Sequence, residues 1–390
     1  MALGYAPTGN ATLRELIPVH QAGSQIELRL SNEYGDKPLA IGAATVATSS
    51  GVAAGVVAGT VTPLTFGGQS TVVIPVGGLA MTDPTPVSVQ AGQTLAVSLF
   101  VAQPDLVTVH PCCQGPIVSY GTVNGGGNLT AATATAPFVY HSPWPAIVDA
   151  LDVLQTGGNG SIVVVGDSIT DGYHSTVRWT DVLQQRIDLL PVADQRSVVN
   201  EGITANTLTE LPNDDSKKGG GEAGVARIQR DALTQPGVST VVLLLGTNDL
   251  WFGASSAQVI AGMRQVIAAA HTAGVRIVGV TLLPRQTSPT EAWTPAQQAA
   301  LMQVNAWILH SGAFDGVLDL GPVVADAYNG ACVPTSMFPP YDSGDHLHPN
   351  ATGETAMADA VNTTVLGMPV APQVPEPLVT PTPGCSAEGV

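Results

Sequence analysis

The chain has 390 residues, of which 44% are hydrophobic and 11% are charged, and its formal net charge is −17 at pH 7. This length and hydrophobic content suffice for the cores of two domains and exclude global disorder. With 30 acidic and 13 basic side chains, the chain offers no basic surface for nucleic acid or anionic lipid, so we expect neither partner. Its apolar runs are too short or too interrupted by glycine for a membrane-spanning helix, which needs about 20 apolar residues.

Residues 1–150 carry the alternating pattern of half-buried β-strands. Apolar side chains occupy every second position in 26–30 and again in 95–101, and turn sequences such as NEYGDKP and TFGGQS separate such runs. A convincing helical period is absent from this part of the sequence. We therefore predict an accessory domain over 1–150, built as an antiparallel β-sandwich or a jelly roll.

Beyond the glycine-rich junction LQTGGNGS, strand patterns alternate with helix patterns. Five largely apolar runs are typical of parallel strands covered on both faces: 162–165, 197–200, 241–245, 277–281 and 316–320. Ser255 and Thr294 each precede a glutamine by three positions, which is the capping-box signature of a helix start, and Gly274 marks a helix end. The alternation predicts an α/β domain with a parallel sheet over 158–368, followed by a Pro-rich tail over 369–390.

The four cysteines, Cys112, Cys113, Cys332 and Cys385, are not spaced as zinc ligands. Their even number permits three disulfide connectivities. Because a bridge between neighbouring residues is strained, we expect Cys112 and Cys113 to pair with separate, distant cysteines, with free buried thiols as the alternative.

The first chemical motif is a polar triplet at the end of a buried strand. Gly166-Asp167-Ser168 follows the first apolar run of the α/β pattern, and Thr170 stands where a G-x-S-x-G elbow has glycine, which disfavours an α/β-hydrolase fold. A serine hydroxyl is a weak nucleophile. It therefore needs a base, an acid that orients the base, and hydrogen-bond donors for the oxyanion.

Candidates for base and acid occur near the carboxyl-terminal end, in the segment YDSGDHLHPN. Asp345 precedes His348 by three positions, so one turn of chain can place the carboxylate on Nδ1 and leave Nε2 to accept the Ser168 proton. His346 is the rival base and Asp342 the rival acid. His346 is disfavoured because neighbouring side chains in an extended segment point in opposite directions, which separates it from Asp345.

These motifs resemble the four blocks of the SGNH, or GDSL-type, hydrolases, which are named for Ser, Gly, Asn and His. The matching residues are Gly166-Asp167-Ser168, Gly202 in VVNEGITANT, Gly246-Thr247-Asn248-Asp249, and Asp345 with His348. The resemblance covers 161–367 and implies a flavodoxin-like, three-layer α/β/α hydrolase domain with a parallel sheet. The β-rich extension, which contains RLSNEYG, is further similar to that of secreted two-domain members.

The resemblance implies a serine esterase that works through an acyl-enzyme and needs neither a cofactor nor a metal. Ser168 would be the nucleophile, His348 the base and Asp345 the acid that fixes the tautomer of the base. The oxyanion hole would combine the backbone N–H groups of Ser168 and Gly202 with the side-chain amide of Asn248. Glycine permits close approach of the backbone, and an Asn amide is a neutral, fixed donor.

Other residues near these motifs have two interpretations each. Trp251 and Asp167 are candidate substrate-binding residues: Trp251 follows the third block closely enough to line the cleft, with core or rim packing as the alternative. For Asp167 we favour a cap on the turn that holds the nucleophile. Ala205 stands where the family commonly has glycine after the second block, which affects the expected shape of that loop.

One charged segment falls outside the four blocks. In VARIQRDAL, the residues Arg227, Arg230 and Asp231 fit an exposed helix face better than a substrate clamp. A dinuclear metallophosphoesterase is the metal-dependent alternative, since His346 and His348 lie close together. No D-x-H precedes the first block to supply its remaining ligands, so we expect no metal.

The substrate is expected from the resemblance and the charge. Similar two-domain enzymes suggest acetyl or other short acyl groups on polysaccharide, and a surface poor in positive charge suits neutral glycans. A lipase or polyester hydrolase with the same mechanism is one alternative, and a carbohydrate-binding module with a degenerate hydrolase domain is another. Residues 1–25 lack a basic start followed by an apolar segment. We expect an extracellular protein whose signal peptide is not part of this chain.

Overall fold

A computed structural model describes residues 9–103, 107–110, 112–113, 117–155, 160–210, 220–288, 292–326 and 336–373. The chain divides into two compact units, Met1–Gly158 and Asn159–Val390. Most of the predicted Pro-rich tail, from residue 374 onward, lies outside the described residues.

The first unit is built from antiparallel strands, as the alternating pattern predicts. Its strands are β1 (Ala11–Pro18), β2 (Gln25–Asn32), β3 (Leu39–Thr48), β4 (Thr62–Pro63), β5 (Val72–Ile74), β6 (Gly78–Met81), β7 (Thr94–Val101), β8 (Val118–Gly121), β9 (Tyr140–Ser142) and β10 (Val148–Leu154). One sheet has the order β4-β3-β7-β1-β8-β9, with β5 paired to β3, and the other has the order β10-β2-β6. Alternate side chains of β2 and β7, among them Leu28 and Val97, are buried in one shared core. The prediction of an antiparallel, β-rich domain is confirmed.

The cysteine pairing differs from the expectation. Cys112 and Cys113 are joined to each other by a disulfide. Cys113 has a φ of 57°, so the backbone turns at this residue into the left-handed region and lets the two neighbouring sulfurs meet. The expected pairing of each with a separate, distant cysteine is therefore wrong. Cys332 and Cys385 lie outside the described residues.

The second unit contains a parallel sheet at the five predicted positions. Its strands are β11 (Ser161–Gly166), β12 (Ser197–Gly202), β13 (Val238–Leu244), β14 (Arg276–Val280) and β15 (Gly316–Leu318). They pair in the order β12-β11-β13-β14-β15, and every pairing is parallel. All six residues of β11 are buried, as both faces of this sheet are covered. Counted within the unit, the strand order is 2-1-3-4-5, which is the flavodoxin-like order and confirms the predicted fold class.

Helices alternate with these strands and begin where the sequence indicates. They are α1 (Ser168–Asp171), α2 (Trp179–Asp188), α3 (Gly224–Ile228), α4 (Thr247–Trp251), α5 (Ser256–Thr272), α6 (Pro295–His310), α7 (Gly321–Val324) and α8 (Ala351–Ala360). Short 3₁₀ turns cover Val192–Asp194, Pro339–Tyr341 and Thr363–Leu366, and a π-helical turn covers Gln229–Leu233. Both predicted capping boxes are present, and Gly274 follows α5 with a φ of 71°.

The strand order determines where a site can form. Between β11 and β13 the order of the chain reverses, and in parallel sheets ligands bind outside the carboxyl ends of strands at such a switch point. Helix α1 begins two residues after β11, and α4 begins three residues after β13. The first and third sequence blocks therefore lie at this edge of the sheet. Among the described residues, no helix has the length and hydrophobicity needed to cross a membrane.

Candidate active site

Ser168 is the first residue of α1, a single helical turn that starts directly after β11. Asp167 is its N-cap: the backbone is extended, and Oδ1 accepts the hydrogen bond from Ile169 N at 3.0 Å. The turn ends at Gly172, which has a left-handed φ of 88°. The preferred interpretation of Asp167 as a cap is confirmed, and the cap fixes the backbone that presents the Ser168 hydroxyl.

The hydroxyl of Ser168 is joined to an imidazole and a carboxylate. Ser168 Oγ lies 2.7 Å from His348 Nε2, and His348 Nδ1 lies 2.5 Å from Asp345 Oδ2. Ser168 and His348 are 180 positions apart in the chain, and both are buried. With the carboxylate on Nδ1, a neutral imidazole carries its proton there and offers the Nε2 lone pair to the hydroxyl.

The Asp345 carboxylate is also bound on its other oxygen. Oδ1 accepts hydrogen bonds from the backbone N–H groups of Leu347 at 3.0 Å and His348 at 2.8 Å, and from the Ser343 hydroxyl at 3.1 Å. Burial by itself would raise the pKa of this carboxyl, but the hydrogen bonds and the charge of His348 outweigh it and hold the pKa well below its ordinary value. Asp345 therefore stays a carboxylate that keeps His348 in one orientation.

The two rival residues of this segment are paired with each other. His346 Nδ1 lies 2.7 Å from Asp342 Oδ2, and Asp342 Oδ1 accepts the His346 backbone N–H at 3.0 Å. His346 has a φ of 64°, so the chain twists between it and His348. The structure thus separates the segment into two imidazole–carboxylate pairs.

Asn248 and Asp249 follow β13 at the same edge of the sheet. Asn248 is buried, and one N–H of its side-chain amide donates to Asn206 O at 2.9 Å. An amide nitrogen carries two hydrogens, so a second N–H remains. Asp249 accepts the backbone N–H groups of Leu208 at 2.7 Å and Thr209 at 2.8 Å. Burial raises the pKa of Asp249. These bonds attach the loop after β12 to the beginning of α4.

Gly202 ends β12 and packs against α1. A Cβ at this position would lie 2.5 Å from Asp171 N and 2.8 Å from Thr170 C, so only glycine fits here without displacing the turn that carries Ser168. The backbone N–H of Gly202 donates to Asn200 Oδ1 at 2.9 Å. The N–H that the sequence predicts as an oxyanion donor is thus engaged with a neighbouring side chain in this structure, and its catalytic role stays a prediction.

The second unit contains a sequence that matches a known protein family. Residues 164–356 match the model of the GDSL-like lipase/acylhydrolase family. These residues form a GDSL-like lipase/acylhydrolase domain. The chain is accordingly a carboxylic ester hydrolase, and the resemblance of its four blocks is confirmed. No curated protein matches the chain in sequence.

Solved structures with similarity to the chain include three esterases or lipases. An aryl esterase of M. smegmatis has 19% identity and a TM-score of 0.43, over 54% of this chain and 99% of that chain. An acetylxylan esterase from Geobacillus stearothermophilus has 18% identity and a TM-score of 0.40, over 55% and 97%. A GDSL-like lipase from Bacteroides thetaiotaomicron has 16% identity and a TM-score of 0.40, over 54% and 89%.

In the loop after β12, the GDSL-like domain has an alanine in a backbone conformation that favours glycine. Ala205 has a φ of 63°, the left-handed region that glycine adopts freely and that costs an alanine about 1 kcal/mol or more. The loop is held just before this residue, since Ile203 N donates to Gly166 O at 3.1 Å and Thr204 N donates to Asp171 Oδ2 at 2.9 Å, and just after it, since Asn206 N donates to Ile203 O at 3.0 Å. The departure from the family pattern therefore appears as backbone strain at one residue.

The sequence interpretation of Arg227 as part of an exposed face is wrong. Arg227 is fully buried in the GDSL-like domain and donates to Asn206 Oδ1 at 3.1 Å, to Asp231 Oδ2 at 3.1 Å and to Gly166 O at 3.0 Å. Asp231, four residues later, neutralises the buried charge. Arg227 thus links Gly166, at the end of β11, to Asn206, whose carbonyl oxygen accepts the hydrogen bond from the Asn248 amide. The four-residue spacing of Arg227 and Asp231 fits an exposed ion pair on a helix equally well, so the sequence alone gives no signal of this burial.

Arg230 differs from Arg227, because its side chain reaches the surface. It donates to Glu222 Oε2 and to Asp231 Oδ1, both at 2.6 Å. No substrate clamp is needed to explain either arginine.

Trp251 lies at the end of α4 and is half-buried. Its ring centroid is 4.6 Å from that of Phe252 and 5.4 Å from the guanidinium carbon of Arg285, which lies 5.0 Å from the ring of Trp293. Arg285 is therefore flanked by two indole rings. These contacts fit the packing interpretation of Trp251, and its contact with substrate stays a prediction.

Asp167 is buried next to Ser168. Burial raises the pKa of its carboxyl to about 6, against the opposing effects of the Ile169 N–H and of the charges of His348 and Arg285. Contact of Asp167 with substrate also stays a prediction.

Proposed function

We propose that this ester hydrolase is an extracellular serine esterase that removes short acyl groups, acetyl above all, from neutral polysaccharide. The observation that carries the proposal is the hydrogen-bonded chain from Ser168 Oγ through His348 to Asp345. This arrangement supplies a nucleophile, a base and an acid that orients the base.

In the first half of the reaction, Ser168 Oγ attacks the ester carbonyl carbon while His348 Nε2 takes the hydroxyl proton. The carbonyl oxygen becomes an oxyanion. His348 then gives the proton to the alcohol oxygen, the bond between carbon and that oxygen breaks, and an acyl-Ser168 ester remains. Asp345 stabilises the imidazolium while the proton resides on it.

In the second half, water replaces the alcohol. His348 takes a proton from the water as its oxygen attacks the acyl carbon, and then returns that proton to Ser168 Oγ as the acyl bond breaks. The carboxylic acid leaves and the free hydroxyl is restored. No cofactor or metal enters either half of this scheme.

Three N–H groups are proposed as donors to the oxyanion. Ser168 is the first residue of α1, where a backbone N–H has no acceptor within the helix. The second N–H of the Asn248 amide supports the proposed role of that residue. The Gly202 N–H can bind the oxyanion only if its hydrogen bond to Asn200 Oδ1 breaks. We therefore propose that this donor contributes least to oxyanion stabilisation.

Charge and disulfide chemistry support the neutral glycan and the extracellular location. A net charge of −17 repels anionic substrates such as pectin, whereas acetylated xylan carries less charge. The Cys112–Cys113 disulfide is of the kind that persists in oxidising compartments. Hydrolysis of lipid or polyester esters by the same residues is the competing substrate assignment.

A panel of esters tests the proposal. p-Nitrophenyl acetate, butyrate and octanoate, with acetylated xylan and acetylated pectin, are given to the wild type, to Ser168→Ala and to Ser256→Ala, which removes a serine at the start of α5. We expect hydrolysis of acetyl esters by the wild type and Ser256→Ala and its loss in Ser168→Ala, with xylan preferred over pectin. Faster hydrolysis of the octanoate would favour the lipase alternative, and full activity of Ser168→Ala would contradict the mechanism.

A cavity in the β-rich unit favours a second candidate function, which is the binding of a neutral glycan. The cavity has a volume of about 250 Å³. The apolar side chains of Val107 and Val109 contribute to its wall, together with the aromatic rings of Tyr120, Tyr140 and Trp144. Aromatic rings bind the apolar faces of sugar rings by stacking. None of the described lining residues is Asp, Glu, Lys or Arg, which suits an uncharged ligand.

The second function is tested in the absence of hydrolysis. Binding of xylohexaose to the Ser168→Ala protein is measured by calorimetry, and Tyr140→Ala is compared with Val139→Ala. Both side chains are exposed, at 57% and 61%, but only Tyr140 lines the cavity. We expect Tyr140→Ala alone to weaken binding. Equal affinity of the two variants would exclude the cavity as the glycan site.

A further inference from the structure

The turn that follows α1 places two aromatic side chains beside the imidazole of His348. The Tyr173 ring stands edge-on to the His348 ring, with centroids 4.9 Å apart and an interplanar angle of 62°. The His174 ring stacks on Tyr173 at 4.1 Å, and its centroid lies 5.8 Å from that of His348. Tyr173 is 37% exposed and the His174 side chain 44%. We call this partly exposed pair the Tyr173–His174 surface.

The Tyr173–His174 surface is attached to the nucleophile. The N–H groups of Gly172 and Tyr173 both donate to Ser168 O, at 3.0 and 2.9 Å. Ser175 N donates to Gly172 O at 3.1 Å and closes the turn. The backbone that carries the two aromatic side chains is therefore held in place relative to Ser168.

The backbone of His174 is in a conformation that favours glycine. Its φ is 64°, in the left-handed region, where a residue with a Cβ costs about 1 to 3 kcal/mol. Glycine would form the same turn without this strain. Residues that keep a side chain under such strain are concentrated at functional sites, and this one lies beside the proposed base.

The reaction brings the alcohol half of the ester next to the His348 imidazole. His348 Nε2 gives its proton to the alcohol oxygen, so that oxygen comes within hydrogen-bond reach of Nε2, at about 2.6 to 3.2 Å. The rest of the alcohol then extends from Nε2 among the groups that surround the imidazole. The Tyr173 and His174 rings belong to these groups and are open to solvent.

We infer that the Tyr173–His174 surface is the binding site for the alcohol half of the ester and selects alcohols that carry a six-membered ring. An aromatic pair offers a flat, apolar face, which fits the face of an aryl ring or the C–H face of a sugar ring. The inference deepens the proposed function and rests on it, because it takes His348 as the proton donor to the leaving alcohol.

A role through Asp345 is the competing account of His174. Its Nδ1 lies 3.7 Å from Asp345 Oδ2, the oxygen that holds His348. If His174 acted on the acid, its removal would change the hydrolysis of every ester by the same factor. If it binds the alcohol, its removal changes esters according to the alcohol they carry.

The experiment uses four acetates that differ in the alcohol alone: ethyl acetate, cyclohexyl acetate, phenyl acetate and a monoacetate of methyl β-xyloside. All four give the same acetyl-enzyme, so differences in kcat/KM among them arise in binding of the ester or in the step that expels the alcohol. His174→Gly removes the imidazole and suits the backbone, and Tyr173→Leu keeps an apolar side chain without the ring. We expect each variant to lower the ratio of kcat/KM for at least one ring-bearing ester to that for ethyl acetate by about 3- to 10-fold.

The control is His310→Ala, which removes an exposed imidazole at the end of α6 in the same unit and leaves the ratio unchanged. A loss confined to phenyl acetate assigns an aryl alcohol, and a loss confined to the xyloside assigns a sugar; both support the inference. An equal loss for all four esters, or an unchanged ratio in both folded variants, overturns it. Acetyl ester hydrolysis that persists in Ser168→Ala would instead overturn the proposed function, which makes the two failures distinguishable.

Discussion

Two imidazole–carboxylate pairs lie next to each other in the loop before α8, and only one of them contacts Ser168. The nitrogen–oxygen distance is 2.5 Å between His348 and Asp345 and 2.7 Å between His346 and Asp342. The His348 side chain is 9% exposed and hydrogen-bonds Ser168 through Nε2, whereas that of His346 is 44% exposed. A histidine paired with an aspartate is therefore insufficient to identify a base.

The carboxylates of the two pairs are held in similar ways. Asp345 Oδ1 accepts the N–H groups of Leu347 and His348, and Asp342 Oδ1 accepts those of Gly344 and His346. The two pairs thus differ in the partner of the second imidazole nitrogen, which for His348 is the Ser168 hydroxyl. Exchanging one member at a time from each pair tests this comparison.

The largest effect is expected from removing the two imidazoles. His348→Ala should lower kcat for p-nitrophenyl acetate by about 10⁴-fold or more, because in the part of the chain that the structure describes His348 alone hydrogen-bonds the Ser168 hydroxyl. His346→Gly should keep kcat within about 2-fold of the wild type, since its φ of 64° suits glycine and its imidazole is paired with Asp342. Steady-state kinetics of both variants provide the measurement. Similar losses in the two variants would remove the distinction between the pairs.

Substitution of the two carboxylates should give the same contrast in kcat, with a smaller loss than substitution of the imidazoles. In Asp345→Asn, the amide oxygen can keep the backbone N–H groups, but the amide N–H₂ faces His348 Nδ1 and forces the imidazole proton onto Nε2. The base is then in the wrong tautomer, and kcat should fall by about 10³- to 10⁴-fold. Asp342→Asn should change kcat by less than about 3-fold. The measurement is kcat of both variants across pH, with melting curves as a check on folding. If Asp342→Asn lost as much activity as Asp345→Asn, the loss would have a merely structural cause.

The contrast between the two pairs also shows what sequence could predict. Asp345 three positions before His348 was sufficient to favour that pair, because local spacing decides which side chains of one loop meet. The five strands were predictable because runs such as 162–165 are apolar on both faces, which few other structures tolerate. Buried strands at the right places in turn put Ser168 and Asn248 at one edge of the sheet.

Other features depend on which groups meet in the folded chain and could not be predicted from sequence patterns. Arg227 is charged, yet it is buried because Asp231, Asn206 and Gly166 O surround it from three parts of the chain. Gly202 shows the same limit, since the partner of its N–H is decided by the Asn200 side chain. The positive φ of Cys113, which accompanies its bond to Cys112, has no signal in composition or spacing.

Arg227 and Arg230 both bind Asp231, so they allow a buried ion pair to be compared with a partly exposed one. Arg227→Gln should lower the free energy of unfolding by about 3 to 5 kcal/mol, because it removes the fully buried guanidinium that faces Asp231 and the hydrogen bond to the Gly166 carbonyl. Arg230→Gln should lower it by about 1 kcal/mol or less, since this side chain is partly solvated. Urea unfolding of both variants measures the difference. Equal losses would mean that burial is not what separates these pairs.

Asp167 is a third carboxylate near His348, and its pKa moves in the opposite direction to that of Asp345. Burial raises the pKa of Asp167 to about 6, whereas an unfolded chain has a value of about 3.9. The folded state therefore binds this proton more tightly than the unfolded state does. The contribution of Asp167 to stability should fall as the pH rises from about 4 to about 6 and should level off above that, by about 2 to 3 kcal/mol in total.

Asp167→Asn isolates that contribution. The amide oxygen can still accept the Ile169 N–H, so the cap on α1 is kept while the group that ionises is lost. Relative to the wild type, the variant should gain stability progressively between about pH 4 and pH 6, as measured by urea unfolding at four pH values. Parallel curves for the two proteins would mean that Asp167 titrates as it does in the unfolded chain. In that case, proximity to His348 would be enough to stabilise the Asp167 carboxylate, which accepts few hydrogen bonds. The backbone N–H groups around Asp345 would then not explain why its pKa differs from that of Asp167.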